Sequence, residues 1–236
     1  MVFTTELRGD LRADLRRGLT ALHLEATEAQ QDLLLEALSF LSEWNAVMNL
    51  TAIRAPHDML VHHVLDSLSV LPHLPARAES ASLSLLDVGS GGGFPALPIA
   101  VFRPDLAVVA LDAVRKKTDF VNRAATYLAL PNLRAVHSRV EDHRVTYDVV
   151  ISRAYASLRD FVKSAGHTVK ADGRGRLLAM KGKSPDEEVA ALARTGWRLE
   201  RQEALSVPLL DAARTLLWLE RDTKEGEGAR RKPSQR

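Results

Sequence analysis

The stretch LLDVGSGGGFP, from Leu85 to Pro95, decides the fold of this chain. It begins with a short, mostly apolar run of the kind that forms a buried strand, and four glycines follow within five positions. Glycine allows sharp backbone turns and, because it has no side chain, lets the backbone come close to a ligand. The stretch therefore predicts a strand, a ligand-binding loop and a helix at the carboxyl edge of a parallel sheet.

The spacing of the loop residues separates two classes of adenosine-containing ligand. The dinucleotide pattern G-x-G-x-x-G would place its last glycine at position 94, where this chain has Phe94. The pattern Asp/Glu-x-G-x-G-x-G, common in loops that bind S-adenosylmethionine, is matched by Asp87, Gly89, Gly91 and Gly93. The loop thus favours S-adenosylmethionine over NAD or FAD.

A second acidic residue supports an adenosine ligand. Asp112 ends the next predicted strand, where a carboxylate can accept hydrogen bonds from ribose hydroxyls. A tight strand-to-helix turn without any ligand is the alternative, but one glycine would suffice for such a turn. Four glycines together with Asp87 and Asp112 favour the ligand-binding interpretation.

Composition excludes several classes of protein. The chain has 236 residues, of which 46% are apolar and 26% charged, so it can build a sizeable core. It has no cysteine, which excludes disulfides, thiolate metal sites and a cysteine nucleophile. It has no run of about 18 apolar residues and no apolar secretory core near its first residue. We expect a cytoplasmic monomer without a membrane partner.

The rest of the chain divides into two patterns. Helical spacing of apolar residues predicts helices over 4–23, 27–49 and 56–71, and a linker follows over 72–82. Thr27 and Gln30 form a capping-box pattern at the start of the second helix, and Asn49 is expected to cap its end. Beyond it, the predicted strands are 83–88, 107–112, 133–137, 146–152, 175–180, 198–207 and 214–220. The predicted helices between them are 95–103, 115–129, 158–169 and 185–195. The last two strands have no helix between them, which predicts a hairpin at the sheet edge.

This order predicts an α/β fold, a doubly wound and mostly parallel seven-stranded sheet with an N-terminal helical layer. Its topology is similar to that of the class I, Rossmann-like methyltransferases. We assign residues 1–78 to the helical layer packed on the core and 79–222 to the core that binds S-adenosylmethionine. Residues 223–236 have almost no apolar side chains and are predicted to form a disordered basic tail.

Several further stretches resemble one family, the bacterial small-subunit ribosomal RNA guanine-N7 methyltransferases called RsmG or GidB. The stretches are EWNAVMNLTAIR (43–54), HHVLDSL (62–68), LLDVGSGGGFPALPIA (85–100), LDAVRKKTDFV (111–121), SRVED (138–142), YDVVISRAYASL (147–158) and LLAMKGK (177–183). They keep the order of the chain and cover most of residues 43–183. Most of them lie outside the glycine loop and are not general to methyltransferases, so the resemblance is specific.

The resemblance implies transfer of a methyl group from S-adenosylmethionine to N7 of one guanine in 16S ribosomal RNA. The small ribosomal subunit or its RNA is then the partner. The residues that it implies for cofactor binding are Gly89, Gly91, Phe94, Asp112, Val140, Glu141 and Arg153. It also implies that Asp87 orients the loop and does not touch the ligand.

The implied chemistry needs no catalytic residue that exchanges a proton. N7 of guanine has an in-plane lone pair and no proton, so it can attack the methyl group directly once the two are aligned. Methylation at carbon 5 of pyrimidines requires a cysteine, which the chain lacks. Methylation of exocyclic amines commonly uses an Asn/Asp-Pro-Pro-aromatic loop, and here that place reads SRAY, from Ser152 to Tyr155. Both arguments exclude competitors without establishing N7.

Three residues are candidates for substrate contact. His63 and Asp66 are three residues apart and therefore share a helix face, while Lys181 follows a predicted strand. A helix-packing pair and a solvated strand-end lysine are the alternatives. No third ligand accompanies the histidine and the aspartate, so we expect no metal. Tyr155 is either a stacking platform for a base or a core residue.

Basic residues follow several predicted strands and form a candidate RNA-binding edge: Arg115, Lys116, Lys117, Arg139, Arg144, Arg153, Lys181 and Lys183. A solvated charged surface is the alternative. The sequence features leave two rival functions open. One is a methyltransferase for another RNA or for a protein, and the other is a nucleotide-binding regulatory module without turnover.

Overall fold

The computed structural model describes residues 3–76, 83–153, 155, 157–182 and 186–222. The predicted boundary between residues 78 and 79, the predicted basic tail 223–236 and Lys183 lie outside these residues.

Two long helices open the chain, as the sequence predicts. Helix α1 spans Thr5–Ala21 and helix α2 spans Glu28–Met48. At the start of α2, the Thr27 hydroxyl accepts the Gln30 N–H and the Gln30 side chain accepts the Thr27 N–H, which forms the predicted capping box. Asn49 ends this helix in the left-handed conformation, at φ 48°, which confirms its role as a cap.

The third helical segment is not the single α-helix that the sequence predicts over 56–71. Helix α3 spans Pro56–Met59, a π-helix spans Leu60–Leu65, and helix α4 spans Asp66–Leu68. A short 3₁₀ turn follows at Leu71–His73. Apolar spacing cannot distinguish a π-turn from an α-turn over six residues, and such turns are frequent at functional sites. The π-helix contains His62 and His63.

The sheet has seven strands in the order β3-β2-β1-β4-β5-β7-β6. The strands are β1 Leu83–Val88, β2 Leu106–Asp112, β3 Leu133–His137, β4 Val149–Ser152, β5 Arg176–Lys181, β6 Trp197–Leu205 and β7 Arg214–Arg221. Strands β1 to β5 are parallel, and β7 is antiparallel to both β5 and β6. The predicted hairpin is therefore present at the edge, and its second strand lies next to β5.

Four helices connect or flank these strands. They are α5 Ala96–Phe102, α6 Arg115–Tyr127, α7 Leu158–Ala165 and α8 Asp186–Ala190. The predicted helix 158–169 ends early and continues as a 3₁₀ turn at Gly166–Thr168. A Cβ on Gly166 would lie 2.9 Å from Nε1 of the Trp197 indole, so the indole leaves no room for a side chain at this position.

The core lies on both faces of the sheet. Leu85 belongs to the cluster on one face and Leu86 to the cluster on the other, as alternation along a strand requires. The first cluster includes leucines of α1, α2 and the π-helix together with Phe120 of α6, and the second is built around Phe161 of α7. The N-terminal helices therefore cover one face of the sheet and reach the edge where the parallel strands end.

Candidate active site

The glycine loop lies between β1 and α5, at the carboxyl edge of the sheet. Gly89, Gly91 and Gly93 all have positive φ angles, of 72°, 59° and 88°. The loop is fixed by backbone hydrogen bonds, because the Gly89 and Ser90 N–H groups donate to the carbonyl of Leu111 at 2.8 and 3.1 Å. Left-handed backbone at three nearby positions explains why these residues are glycines.

The carboxylates of Asp112 and Asp87 fix the loop by accepting hydrogen bonds from backbone N–H groups. Asp112 Oδ2 accepts the Gly91 N–H at 3.0 Å and its Oδ1 accepts the Val114 N–H at 2.8 Å. Asp87 is 1% exposed, and its Oδ2 accepts the Ala96 N–H at 3.0 Å at the start of α5. Burial raises the pKa of the Asp87 carboxyl to about 7. This position fits the implied role of Asp87 in orienting the loop.

A cavity of about 180 Å³ lies against the loop. Its lining residues are Leu41, Leu50, Thr51, His63, Gly89, Ser90, Gly91, Gly92, Phe94 and Arg153. A Cβ placed on Gly91 would have no heavy atom within 4 Å, so this glycine borders open space. Asp87 Oδ1, Ser90 Oγ and His63 Nδ1 are buried without hydrogen-bond partners within the described chain. An open glycine backbone with unpartnered polar atoms around it fits a small polar ligand.

His63 forms part of the wall of this cavity. Its ring stacks on Phe94, with centroids 4.9 Å apart and an interplanar angle of 21°. Its Nε2 lies 3.0 Å from the Thr51 hydroxyl, which also accepts the Ile53 N–H at 3.1 Å. Burial, and then the positive charge of Arg153, lower the pKa of His63 to about 4. The ring is therefore neutral at neutral pH.

Asp66 is a buried ion-pair partner that the structure connects to Arg153. Asp66 is 2% exposed, and its Oδ2 accepts a hydrogen bond from Arg153 Nη1 at 2.9 Å. The same Nη1 donates to the carbonyl of His62 at 2.6 Å. Arg214 Nε donates to Asp66 Oδ1 at 3.0 Å. The π-helix and α4 therefore position two arginines at the edge of the sheet.

A second cleft, of about 370 Å³, adjoins the first and shares His63 and Arg153 with it. Its lining residues are Ile53, His62, His63, Asp66, Arg153, Met180, Lys181, Gly182 and Arg214. Two arginines and one lysine face a single lining carboxylate there. The loop cavity thus opens beside a basic cleft.

Lys181 and Tyr155 are tied to the protein on the far side of this cleft. Lys181 Nζ lies 2.8 Å from Glu188 Oε2 and donates to the carbonyl of Tyr155 at 3.0 Å. The Tyr155 ring packs on Phe161 with centroids 4.8 Å apart, and its hydroxyl accepts the Ser164 hydroxyl at 2.9 Å. These contacts place Tyr155 against the core of one sheet face.

The match to a known family decides the identity of this site. Residues 30–217 match the GidB family model, described as rRNA small subunit methyltransferase G. The chain belongs to this family. It is therefore a methyltransferase, and the methyl donor that the glycine spacing favours, S-adenosylmethionine, is confirmed.

Relatives with high sequence identity agree with this assignment. Two relatives named ribosomal RNA small subunit methyltransferase G are similar to the chain. One, from Bordetella pertussis, is 49% identical, with 88% of this chain and 92% of the relative covered. The other, from Azoarcus sp. (strain BH72), is 47% identical, with 88% and 95% covered.

The fold is shared with methyltransferases of low sequence identity. Magnesium protoporphyrin IX methyltransferase from Synechocystis PCC 6803 has a TM-score of 0.57 at 15% identity, covering 79% of this chain and all of that one. A SAM-dependent methyltransferase from Aquifex aeolicus has a TM-score of 0.53 at 17% identity, covering 69% and 92%. These likenesses confirm the predicted class I fold.

Two residues implied for cofactor binding lie apart from the two cavities. Val140 and Glu141 form a 3₁₀ turn after β3, where Val140 is buried in the core and Glu141 is exposed. Neither lines the loop cavity or the basic cleft as the described residues define them. Of the other five, Gly89, Gly91, Phe94 and Arg153 line the loop cavity, and Asp112 accepts a hydrogen bond from the Gly91 N–H.

Sequence reasoning did not identify Arg214 or Ser90 as site residues. Arg214 is the first residue of an apolar strand, and only the pairing of β7 with β5 brings it to the cleft. Ser90 lies between Gly89 and Gly91, and its position within the glycine loop could have identified it as a site residue. Among the described residues, no three His, Cys, Asp or Glu side chains group to hold a metal, and no described helix is long and apolar enough to cross a membrane.

Proposed function

We propose that this protein transfers a methyl group from S-adenosylmethionine to N7 of a guanine in the 16S ribosomal RNA of the small subunit. One observation carries the proposal: the glycine-loop cavity and the basic cleft adjoin and share His63 and Arg153. A donor site beside an anion-attracting acceptor site is what methylation of a nucleic acid requires. The names of the relatives support small-subunit ribosomal RNA as the acceptor.

The residues that would hold the donor follow from the loop geometry. The glycines leave room for the ligand, and Asp112 fixes the loop while keeping further lone pairs for ribose hydroxyls. Ser90 and His63 line the loop cavity, and Ser90 Oγ and His63 Nδ1 are buried without hydrogen-bond partners in the described chain, so both would gain partners on binding. Phe94 and Arg153 also line the loop cavity, whereas Val140 and Glu141 lie outside it and are kept in the proposed set on the family resemblance. When bound, S-adenosylmethionine supplies an electrophilic methyl group on a sulfonium.

The chain's own residues would act by positioning and by electrostatics. The neutral His63 ring, packed on Phe94, forms an uncharged wall, so no imidazolium opposes a cationic sulfur or a cationic product. Asp66 is bonded to both Arg153 and Arg214, so it offsets part of the positive charge that these two arginines bring to the cleft. Because N7 of guanine carries no proton, no residue has to accept one, and alignment supplies the catalysis.

We propose that His63, Asp66 and Lys181 contact or position the RNA substrate. All three line the basic cleft. Asp66 would act there through the two arginines that it positions. Lys181 would act through its own ammonium group, whose position Glu188 fixes. Tyr155, which packs on Phe161, is better explained as a core residue than as a stacking platform.

The proposal is tested with isotopically labelled S-adenosylmethionine and small subunits from a strain that lacks this gene. We expect label in 16S ribosomal RNA at one guanine, with strand scission by aniline after borohydride reduction marking N7 as the methylated atom. Arg153→Ala serves as the control, since it removes the side chain shared by both cavities and is expected to abolish the label.

The rival functions predict different results in the same assay. Label in protein or in another RNA would indicate a methyltransferase with a different substrate. Cofactor binding without any transfer would indicate a regulatory module. Label at an exocyclic amine of guanine would contradict the N7 assignment while leaving the RNA substrate intact.

We also place the activity in the cytoplasm, where the small subunit is assembled. The monomeric state stays a prediction, and analytical ultracentrifugation of the full chain tests it against the mass of 26.0 kDa.

A further inference from the structure

Arg214 is a cation held in a fixed position at the edge of the sheet. It opens β7, and the next residue, Thr215, pairs with Lys181 at the end of β5. Its guanidinium is held from two sides, because Nε donates to Asp66 Oδ1 at 3.0 Å and Nη1 donates to the carbonyl of Ala213 at 3.1 Å. A guanidinium has five N–H donors, so two such bonds leave donors for a ligand.

The charge around Arg214 is not balanced. Among the described residues, Asp66 is the carboxylate that pairs with both Arg153 and Arg214, with one oxygen bonded to each. Lys181 adds a third cation to the same cleft, and Glu188 pairs with that lysine. The wall formed by the two arginines therefore carries an excess positive charge, and a forked guanidinium suits a phosphate in particular.

Arg214 also connects the basic cleft to a larger one. Arg214 and Gly182 line both the basic cleft and a neighbouring cleft of about 720 Å³. The second cleft is lined mainly by Leu205, at the end of β6, and by the loop 206–213 between β6 and β7, and we call it the hairpin cleft. The hairpin cleft therefore adjoins the basic cleft at Arg214, and the basic cleft in turn adjoins the loop cavity at His63 and Arg153.

We propose that Arg214 binds a backbone phosphate of the RNA strand that carries the target nucleotide, and that this strand continues along the hairpin cleft. The inference rests on the proposed function and names the contact that holds the acceptor strand. The ligand is a phosphodiester and not the cofactor's carboxylate, because Arg214 lines the basic cleft and the hairpin cleft but not the loop cavity.

The test compares Arg214→Gln with Arg198→Gln. Arg198 lies on the same hairpin at its opposite end, where it pairs with Glu220, so it is a matched loss of charge away from the clefts. Three quantities are measured: the affinity for S-adenosylmethionine by calorimetry, the salt dependence of binding to 16S ribosomal RNA, and KM and kcat for undermethylated small subunits.

For Arg214→Gln we expect KM to rise about tenfold, with kcat and cofactor affinity within about twofold. The slope of log K against log salt should become shallower by about 0.7 to 0.9, the value for one lost phosphate contact. Arg198→Gln should leave KM unchanged. An unchanged slope and KM in Arg214→Gln would overturn the inference, and so would a tenfold loss of cofactor affinity with the slope intact.

A second variant keeps the test independent of folding. Asp211 is exposed and lines the hairpin cleft, so Asp211→Asn removes a negative charge from the proposed path without disturbing the core. It should tighten RNA binding about twofold to threefold at low salt, where surface charges are least screened. No change in Asp211→Asn would contradict the path. Absence of RNA methylation by the wild-type protein would instead refute the proposed function itself.

Discussion

His63 and Asp87 make opposite contributions to the pH dependence of stability. Burial lowers the pKa of His63 from 6.5 to about 4 and raises the pKa of Asp87 from 3.8 to about 7. Below pH 6.5 the unfolded chain binds a proton at His63 that the folded chain refuses, so stability falls as the pH drops towards 4. Between pH 3.8 and 7 the folded chain keeps a proton on Asp87 that the unfolded chain has released, so stability falls as the pH rises.

The size of each contribution follows from the same pKa values. A difference of one unit between the folded and unfolded pKa corresponds to about 1.4 kcal/mol. Protonation of His63 at low pH therefore costs about 3 kcal/mol of folding stability, and ionisation of Asp87 at high pH costs about 4 kcal/mol. The two nearly cancel between pH 4.5 and 6.5 in the wild-type protein. Removing either one should expose the other.

The assay is urea unfolding of the wild type, His63→Gln and Asp87→Asn at several pH values, followed by circular dichroism. The wild-type free energy of unfolding minus that of His63→Gln should grow by about 1.4 kcal/mol per pH unit from 4.5 to 6 and level off above 6.5. The corresponding difference for Asp87→Asn should shrink at a similar rate over the same range. As control, the free energy of unfolding of the wild type minus that of the double variant should stay nearly constant over this range, because the two opposite slopes cancel in that difference. Slopes of the same sign, or a flat difference for His63→Gln, would refute the reasoning.

Three further predictions concern the loop and its supports. Gly91→Ala should weaken binding of S-adenosylmethionine in calorimetry, because its Cβ would enter the open space of the loop cavity, and it should cost about 1 to 2 kcal/mol of stability, because φ is 59° there. Gly93→Ala should lower the melting temperature further, because at φ 88° its Cβ would also lie 3.1 Å from a Val121 methyl. Asp112→Ala should weaken cofactor binding more than stability, and unchanged affinity would contradict its assignment. Asp66→Asn should cost about 2 to 4 kcal/mol in urea unfolding by leaving two guanidiniums uncompensated, against less than about 1 for the surface pair removed by Glu200→Gln.

Local patterns predicted the elements that depend on local interactions. The capping box at Thr27 and the left-handed cap at Asn49 involve residues a few positions apart, and both are confirmed. The glycine loop was found because its backbone requirement is specific to one residue type. The strand predicted over 146–152 begins only at Val149, and Tyr147 before it forms an isolated bridge with Val169.

Longer-range features could not be read from the sequence. The Asp66–Arg214 contact joins residues 148 positions apart, and it depends on β7 lying between β5 and β6. The π-helix packs on α1, where Gly18 lies against the Leu65 side chain, and apolar spacing does not encode its wider turn. The role of Asp66 as an ion-pair centre was therefore hidden behind a simple i, i+3 relation to His63.

The N-terminal helical layer is part of the site and not an accessory to it. The π-helix supplies His63 to the wall of the loop cavity, and Asp66, at its end, holds one arginine from the loop after β4 and one from β7. Without Asp66, two guanidiniums would face each other across the cleft, and like charges at that separation repel. Removal of the helices would therefore disturb both the donor and the acceptor sides at once. The sheet provides the edge, but the helical layer sets where its charges lie.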